Sequence, residues 1–293
     1  MGKIIRAIDE WGAVRVTFAD TTDIARYAQS IHHTSPVATA ALGRTLTMAA
    51  IMGSQLKSPD NSVTLHIKGN GPLGSVLAVS DGAGMVKGYV QNPAVDIAKK
   101  PNGKLDVSAA VGSGLISVSK DLGMREPYTG QVPITSGEIA EDFTYYFATS
   151  EQTPTAIGLG VLVDRDYSVK RAGGFMVQLM PAAMEEDIAL VEKNIGKITS
   201  VTEMMEEGMS AEEIIKALME GFNVQFLDSA EYEYRCDCSM DKIKRALISL
   251  GKSELEDIIE TQGEAELTCQ FCPQVYKLDK NELTDLLQKA KNK

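Results

Sequence analysis

Apolar and polar positions alternate near the start of the chain. Residues 3–8 and 13–18 read as two strands flanking a turn at residues 9–12. Thr21 or Thr22 then caps a helix expected to run to about His32. Ser35-Pro36 is a second start signal, with serine as N-cap and proline at the first helical position. The stretch that follows, V-A-T-A-A-L-G-R-T-L-T-M-A-A-I-M, is apolar almost all round. It predicts a helix buried against a sheet and ending near Gly53. Strand patterns recur at residues 62–68, 75–80, 85–90 and 114–120, with turn clusters at 69–74 and 81–84. Connections this short force antiparallel pairing. A further strand is expected at 128–134, a helix capped by Ser136, and final strands at 157–163 and 174–180. Helices at the ends and strands between them predict an α+β domain of mainly antiparallel sheet over residues 1–181.

From Met184 the period changes. Ile188, Val191, Ile195, Ile198 and Val201 repeat at helical spacing with Glu and Lys between them. Ser210 with Glu213 forms a capping box that opens a second amphipathic helix, whose apolar face is Ile214, Ile215, Leu218, Met219 and Phe222. Residues 182–232 are expected to be a helical connector. Residues 233–293 are expected to be a small α+β lobe, with short helices at 241–250 and 252–261, a hairpin of 266–269 with 275–278, and a last helix from Asp279 or Asn281 into K-A-K-N-K. Residues 223–235 look extended.

Charge separates these regions. Of the chain's net charge of -11, residues 182–235 carry 13 acidic against 4 basic side chains, a net of -9. That balance argues against a nucleic-acid partner. About fifty residues of short acidic helices, broken by Gly196 and Gly208, are expected to repel themselves and to stay ordered only while their flanks hold them. Five of the chain's 13 methionines fall between Met184 and Met219, and such side chains suit surfaces that take varied partners.

No run of 18 apolar residues occurs, and the first residues lack a signal-peptide core. The expectation is a cytosolic protein with no membrane partner. Gly69-Asn70-Gly71-Pro72-Leu73-Gly74 matches G-x-G-x-x-G but runs into a strand pattern, so it reads as a hairpin turn and not a nucleotide loop. His32, His33 and His66 have no ligand or triad spacing, and no nucleophile elbow appears. His32 and His33 are expected to close a helix, where positive charge suits the dipole. No catalytic residue set is visible.

All four cysteines lie in the last fifth: Cys236 and Cys238 in R-C-D-C-S, Cys269 and Cys272 in T-C-Q-F-C-P. Two close pairs about thirty residues apart read as one tetrahedral four-thiolate site, with zinc as its metal. Soft thiolates disfavour magnesium and calcium. Spacing leaves three readings open: an inert zinc clamp, a redox switch, or two structural disulfides. A lobe of some sixty residues has a marginal core, so a metal staple is expected to contribute on the order of 10 kcal/mol to its fold.

The chain as a whole resembles the bacterial redox-regulated heat-shock holdases, the 33 kDa chaperonins. The resemblance rests on C-D-C and C-Q-F-C, and on E-P-Y-T-G-Q-V-P-I, G-E-I-A-E-D-F-T-Y-Y-F-A-T-S-E-Q-T-P-T-A and A-G-G-F-M-V-Q-L-M-P upstream. It implies that Cys236, Cys238, Cys269 and Cys272 hold one zinc as thiolates in the resting protein. It implies Cys236–Cys238 and Cys269–Cys272 disulfides after oxidation, with zinc released and the connector freed. It further implies ATP-independent binding of unfolding client proteins, no enzymatic activity, and a homodimer when active. Two other readings are an assembly or transcription factor with a constitutive zinc module, and an enzyme whose site the sequence hides. Acidic charge weakens the first for nucleic acid, and the missing catalytic set weakens the second.

Overall fold

The computed structural model describes residues 1–291 of the chain. It divides into two compact units, Met1–Arg235 and a smaller one that begins at Cys236. The first unit contains, in order, β1 (Gly2–Asp9), β2 (Val14–Asp20), α1 (Thr22–His32), α2 (Pro36–Gly53), β3 (Ser62–Gly69), β4 (Ser75–Asp81), β5 (Met85–Val90), α3 (Val107–Val111), β6 (Gly114–Asp121), β7 (Tyr128–Pro133), α4 (Ile139–Thr149), β8 (Thr155–Val163) and β9 (Val169–Leu179). It continues with α5 (Glu185–Ile195), α6 (Val201–Glu206), α7 (Ala211–Leu218) and β10 (Val224–Tyr234). The expected α+β class holds, and the strands form one ten-stranded sheet in the order β7-β6-β3-β4-β5-β10-β1-β2-β9-β8.

The sheet is two five-stranded halves. Within each, neighbours are antiparallel, as the short connections require. The halves join where β10 runs parallel to β5, through the pairs Glu233↔Met85 and Tyr234↔Val86. Residues 223–235, expected only to be extended, therefore supply the strand between the halves. β10 also pairs antiparallel with β1 along its length.

Helix α2 is the core element. Ser35 caps it by accepting from the Ala38 amide, Pro36 opens it, and nearly every residue from Val37 to Gly53 is buried. Its apolar circumference packs on one face of the sheet, against Ile4, Leu65, Ile67, Val76, Ala78 and Met176. Alternation along the strands sends the other set of side chains to the opposite face. There Ile5, Ala7, Val14, Val16, Phe18, Phe175 and Val177 meet Val191, Val201, Met205, Ile214, Ile215 and Leu218 of the acidic helices. The connector thus covers an apolar sheet face, and it contains three helices where the sequence pattern announced two. Asn194 ties the first to the last: its amide nitrogen donates to the carbonyls of Leu218 at 3.3 Å and Glu220 at 2.8 Å. The capping box at Ser210 and Glu213 forms as expected.

Three local expectations differ from the structure. Ser136 does not cap α4. The buried Asp142, inside the helix, instead accepts from the amides of Thr135, Ser136 and Gly137 at 2.8–2.9 Å. One carboxylate reaching back satisfies three donors that a serine hydroxyl could not. His32 and the left-handed His33 do close α1 as expected, but the environment of His32 disfavours the cation. His32 is half-buried, its ring nitrogen lies 3.0 Å from the Tyr234 hydroxyl, and burial lowers its pKa, so the neutral ring is favoured. Neither Thr21 nor Thr22 caps α1 with its side chain; Thr21 bonds Thr47 inside the core, and the Thr22 amide donates to Asp20. The glycine loop does turn a hairpin: the Gly69 amide donates to the Gly74 carbonyl, and Gly74 has φ +67° before β4 begins.

The second unit comprises α8 (Met240–Ser249), α9 (Lys252–Thr261), the hairpin of β11 (Ala265–Thr268) with β12 (Val275–Leu278), and α10 (Lys280–Lys291). Asp279 and Glu282 cap α10 reciprocally. The K-A-K-N-K ending reaches Asn292 and Lys293, which lie outside the described residues. Its core is Leu247, Leu255, Ala265, Leu278, Leu283, Leu286 and Leu287. A core this small is marginal without a covalent or metal staple.

Candidate metal centre

Cys236 and Cys238 lie in the short irregular segment before α8, where Ser239 caps the helix by accepting from the Lys242 amide. Cys269 and Cys272 lie in the turn between β11 and β12, which the Cys269 amide closes by donating to the Gln274 carbonyl at 2.9 Å. The helix start and the hairpin turn bring all four Sγ atoms within 4.8 Å of one another. Cys236 and Cys269 are 3.7 Å apart at sulfur, and Cys238 and Cys272 are 3.5 Å apart. All four are free and half-buried. These separations are far beyond a disulfide bond of about 2.05 Å. They match the edge of a tetrahedron about 3.8 Å on a side, which zinc–sulfur bonds of about 2.3 Å require.

The donor set fits the metal in chemistry as well as size. Four thiols offer no hard oxygen ligand, so the site suits zinc and not magnesium or calcium. Burial pushes the Cys236 and Cys272 thiols up. Burial also opposes ionisation of Cys238, but the Tyr276 hydroxyl, donating at 3.0 Å, and the neighbouring thiols together hold it below its ordinary value. That bond in turn raises Tyr276 to about 12. A metal entering this site must displace protons, so its affinity falls in acid.

Every sequence-predicted sulfur is in the cluster, and none of the three histidines joins it. His32 is engaged with Tyr234, and His66 sits half-exposed on β3. Sequence reasoning missed Tyr276. The readable signal was its place on a hairpin strand four residues after Cys272, where strand parity can return a side chain to the turn.

The chain matches the family model described as Hsp33 protein over residues 2–279. It is 50% identical over 286 residues to the 33 kDa chaperonin of Clostridioides difficile, covering 97% of this chain and 98% of that one. It is 46% identical to the 33 kDa chaperonin of Alkaliphilus metalliredigens with the same coverage. The crystal structure of the 33 kDa chaperonin (heat shock protein 33 homolog) of Thermotoga maritima superposes with a TM-score of 0.90, at 38% identity and 99% coverage of both chains. Fold, thiol cluster and relatives together define a chaperone. The chain belongs to the Hsp33 family. Among the described residues, no helix is long and apolar enough to cross a membrane.

Proposed function

We propose that this chaperone is a redox-switched holdase, held inactive by zinc on Cys236, Cys238, Cys269 and Cys272. The observation that carries the reading is the set of four free sulfurs gathered at the spacing of a zinc tetrahedron. Zinc bound there keeps the thiols ionised and staples a marginal lobe. Oxidation to Cys236–Cys238 and Cys269–Cys272 disulfides removes four electrons. Two hydrogen peroxide molecules accept them and, with four protons, leave as four waters. A disulfide sulfur is a poor zinc ligand, so the metal is released and the lobe loses its staple.

The consequence upstream follows from connectivity. Cys236 begins two residues after Tyr234, whose pairing with Val86 is one of the two that join the sheet halves. The Tyr234 hydroxyl also donates to the Gly88 carbonyl at 2.7 Å. Loss of order at Cys236 frays this end of β10 and weakens the downstream anchor of the acidic connector. The connector, self-repelling and short in its helices, then leaves the sheet, with heat favouring that step. The apolar face beneath becomes a surface for unfolding proteins, bound without ATP. The active form is a homodimer working in the cytosol.

The test treats zinc-loaded protein with peroxide at raised temperature while following zinc release, far-UV circular dichroism and aggregation of an unfolding client. Zinc release should accompany loss of helix and a gain in anti-aggregation activity. Zinc that stays bound, or that leaves with no such gain, refutes the switch.

A further inference from the structure

A cavity of 910 Å³ opens in the first unit, between the C-terminal end of α2, strand β6 and the start of the connector. Two stretches that carry the family resemblance, residues 151–154 and 178–181, supply much of its wall. Its apolar lining includes Met52, Leu56, Leu122, Phe147, Leu179 and Ile188. Its charged lining is net cationic in a chain that is otherwise acidic. Arg15, Lys57 and Lys120 stand against one carboxylate in the lining, Glu151, which already accepts from Lys120 at 2.6 Å and from the Tyr146 hydroxyl at 2.5 Å.

Arg15 is the anomaly. Three arginines have a buried Nε with no hydrogen-bond partner: Arg15, Arg44 and Arg171. Glu138 neutralises Arg44 and Glu206 neutralises Arg171. Among the described residues no carboxylate neutralises Arg15, and its charged neighbour is another cation, Arg6. A half-buried guanidinium without a counter-charge is costly unless something supplies one. Beside it, Gln178 is only 3% exposed. Its Oε1 accepts from Arg15 Nη2 at 2.7 Å and from Gln55 Nε2 at 3.0 Å. Those two bonds fix the amide and leave its nitrogen as a donor with no protein partner among the described residues.

We propose that this cavity binds a carboxylate carried on an apolar body, with Arg15 and the Gln178 amide receiving the carboxylate. With Nε buried and Nη2 already donating to Gln178, the Nη1–Nη2 end of the Arg15 guanidinium is what remains to meet two carboxylate oxygens, and Lys57 adds positive charge at the exposed rim. The apolar wall holds the rest of the ligand. The volume lies at the upper end of the roughly 300–1,000 Å³ of ligand cavities, enough for an acyl chain or a few apolar residues. The same chemistry comes from two sources, a free fatty acid or an apolar peptide segment bearing one acidic side chain.

The experiment titrates the reduced, full-length protein calorimetrically, with no oxidant, so its outcome is separate from that of the thiol switch. The probes are decanoate against decanol, and an end-blocked heptapeptide of Leu, Phe and Val with one Glu against its Gln counterpart. The charged member of at least one pair should bind about tenfold or more tightly than its neutral partner. Arg15→Gln should abolish that preference. Leu122→Ser, at an exposed wall position, should weaken charged and neutral probes alike. If Arg15→Gln does not fold, Arg15→Lys, which keeps charge but loses the fork, should retain only part of the preference. Preference for decanoate assigns the free acid, preference for the Glu peptide assigns a chain segment, and both together support the shared chemistry. Equal binding of charged and neutral probes, a preference unchanged in both Arg15 variants, or inorganic phosphate binding as tightly as decanoate overturns the proposal.

Discussion

The two halves of the sheet use their second faces differently. On the half containing β1, β2 and β9, that face is Ile5, Ala7, Val14, Val16, Phe18, Phe175 and Val177, all buried under the acidic helices. On the half containing β3, β4 and β6, the corresponding face mixes Thr64, His66, Leu77, Val79, Ser117 and Ser119, all half-exposed. There polar side chains satisfy one another, as Gln131 does in donating to Ser117 and Thr129 to Ser119. A face so composed tolerates water. The first face does not, and its cover is the most acidic and most broken part of the chain. The contrast gives the proposed switch a physical output, since undocking the connector exposes a ready-made apolar patch.

The largest effect is expected at the metal centre. Cys269→Ser should remove a zinc ligand and unfold the second unit in reductant, a loss of several of the ~10 kcal/mol that structural zinc supplies. Zinc content and protease sensitivity between Met184 and Arg235 measure it, and wild-type resistance there would separate the connector from the lobe. Next, Val16→Asp on the covered face should cost at least about 3 kcal/mol, whereas Val79→Asp on the other half should cost about 1 kcal/mol or less. Urea unfolding of the two variants compares the faces directly, and equal costs would erase the distinction.

Smaller effects probe the cover alone. Asn194→Ala leaves the carbonyls of Leu218 and Glu220 without their donor and should loosen the connector by about 1–3 kcal/mol. Limited proteolysis should show that loss while β3–β6 stay protected. Ser210→Ala removes a helix cap and should cost about 1 kcal/mol in the same assay. The smallest effect is one of pH. The Ser210 amide and hydroxyl hold Glu213 below its ordinary value of 4.5. A depressed carboxylate stabilises the fold above its unfolded pKa, and that contribution disappears as pH falls through the folded value. The difference between wild type and Glu213→Gln should therefore be present at neutral pH, begin to fall below 4.5 and vanish only once the folded carboxylate is protonated.

What the sequence made legible, and what it hid, follows from the range of the interactions. Helix α2 was readable because its cap, its proline and its apolar run are all local to residues 35–53. The thiol cluster was readable because ligand spacing carries its own geometry. Strand β10 was not placed, because Asp228, Glu231 and Glu233 break its apolar alternation and its register is set by β1, more than 200 residues away. Helix α3, at five residues, is too short to leave a period. The role of Asp142 was hidden because a carboxylate inside the helix pattern does not announce that the amides of Thr135, Ser136 and Gly137 turn back to it. The surroundings of Arg15 were hidden because its neighbour Gln178 lies on β9, more than 160 residues along the chain.

The central claim is that losing zinc uncovers one face of one half-sheet. Hydrogen exchange followed by mass spectrometry tests it most directly, comparing reduced zinc-loaded protein with protein held in peroxide at raised temperature. The account predicts that segments from residues 185 to 222 and the β2 and β9 strands beneath them lose protection once zinc has left, while β3, β4 and β6 keep theirs. Connector segments that remain as protected after zinc release as before it would contradict the account.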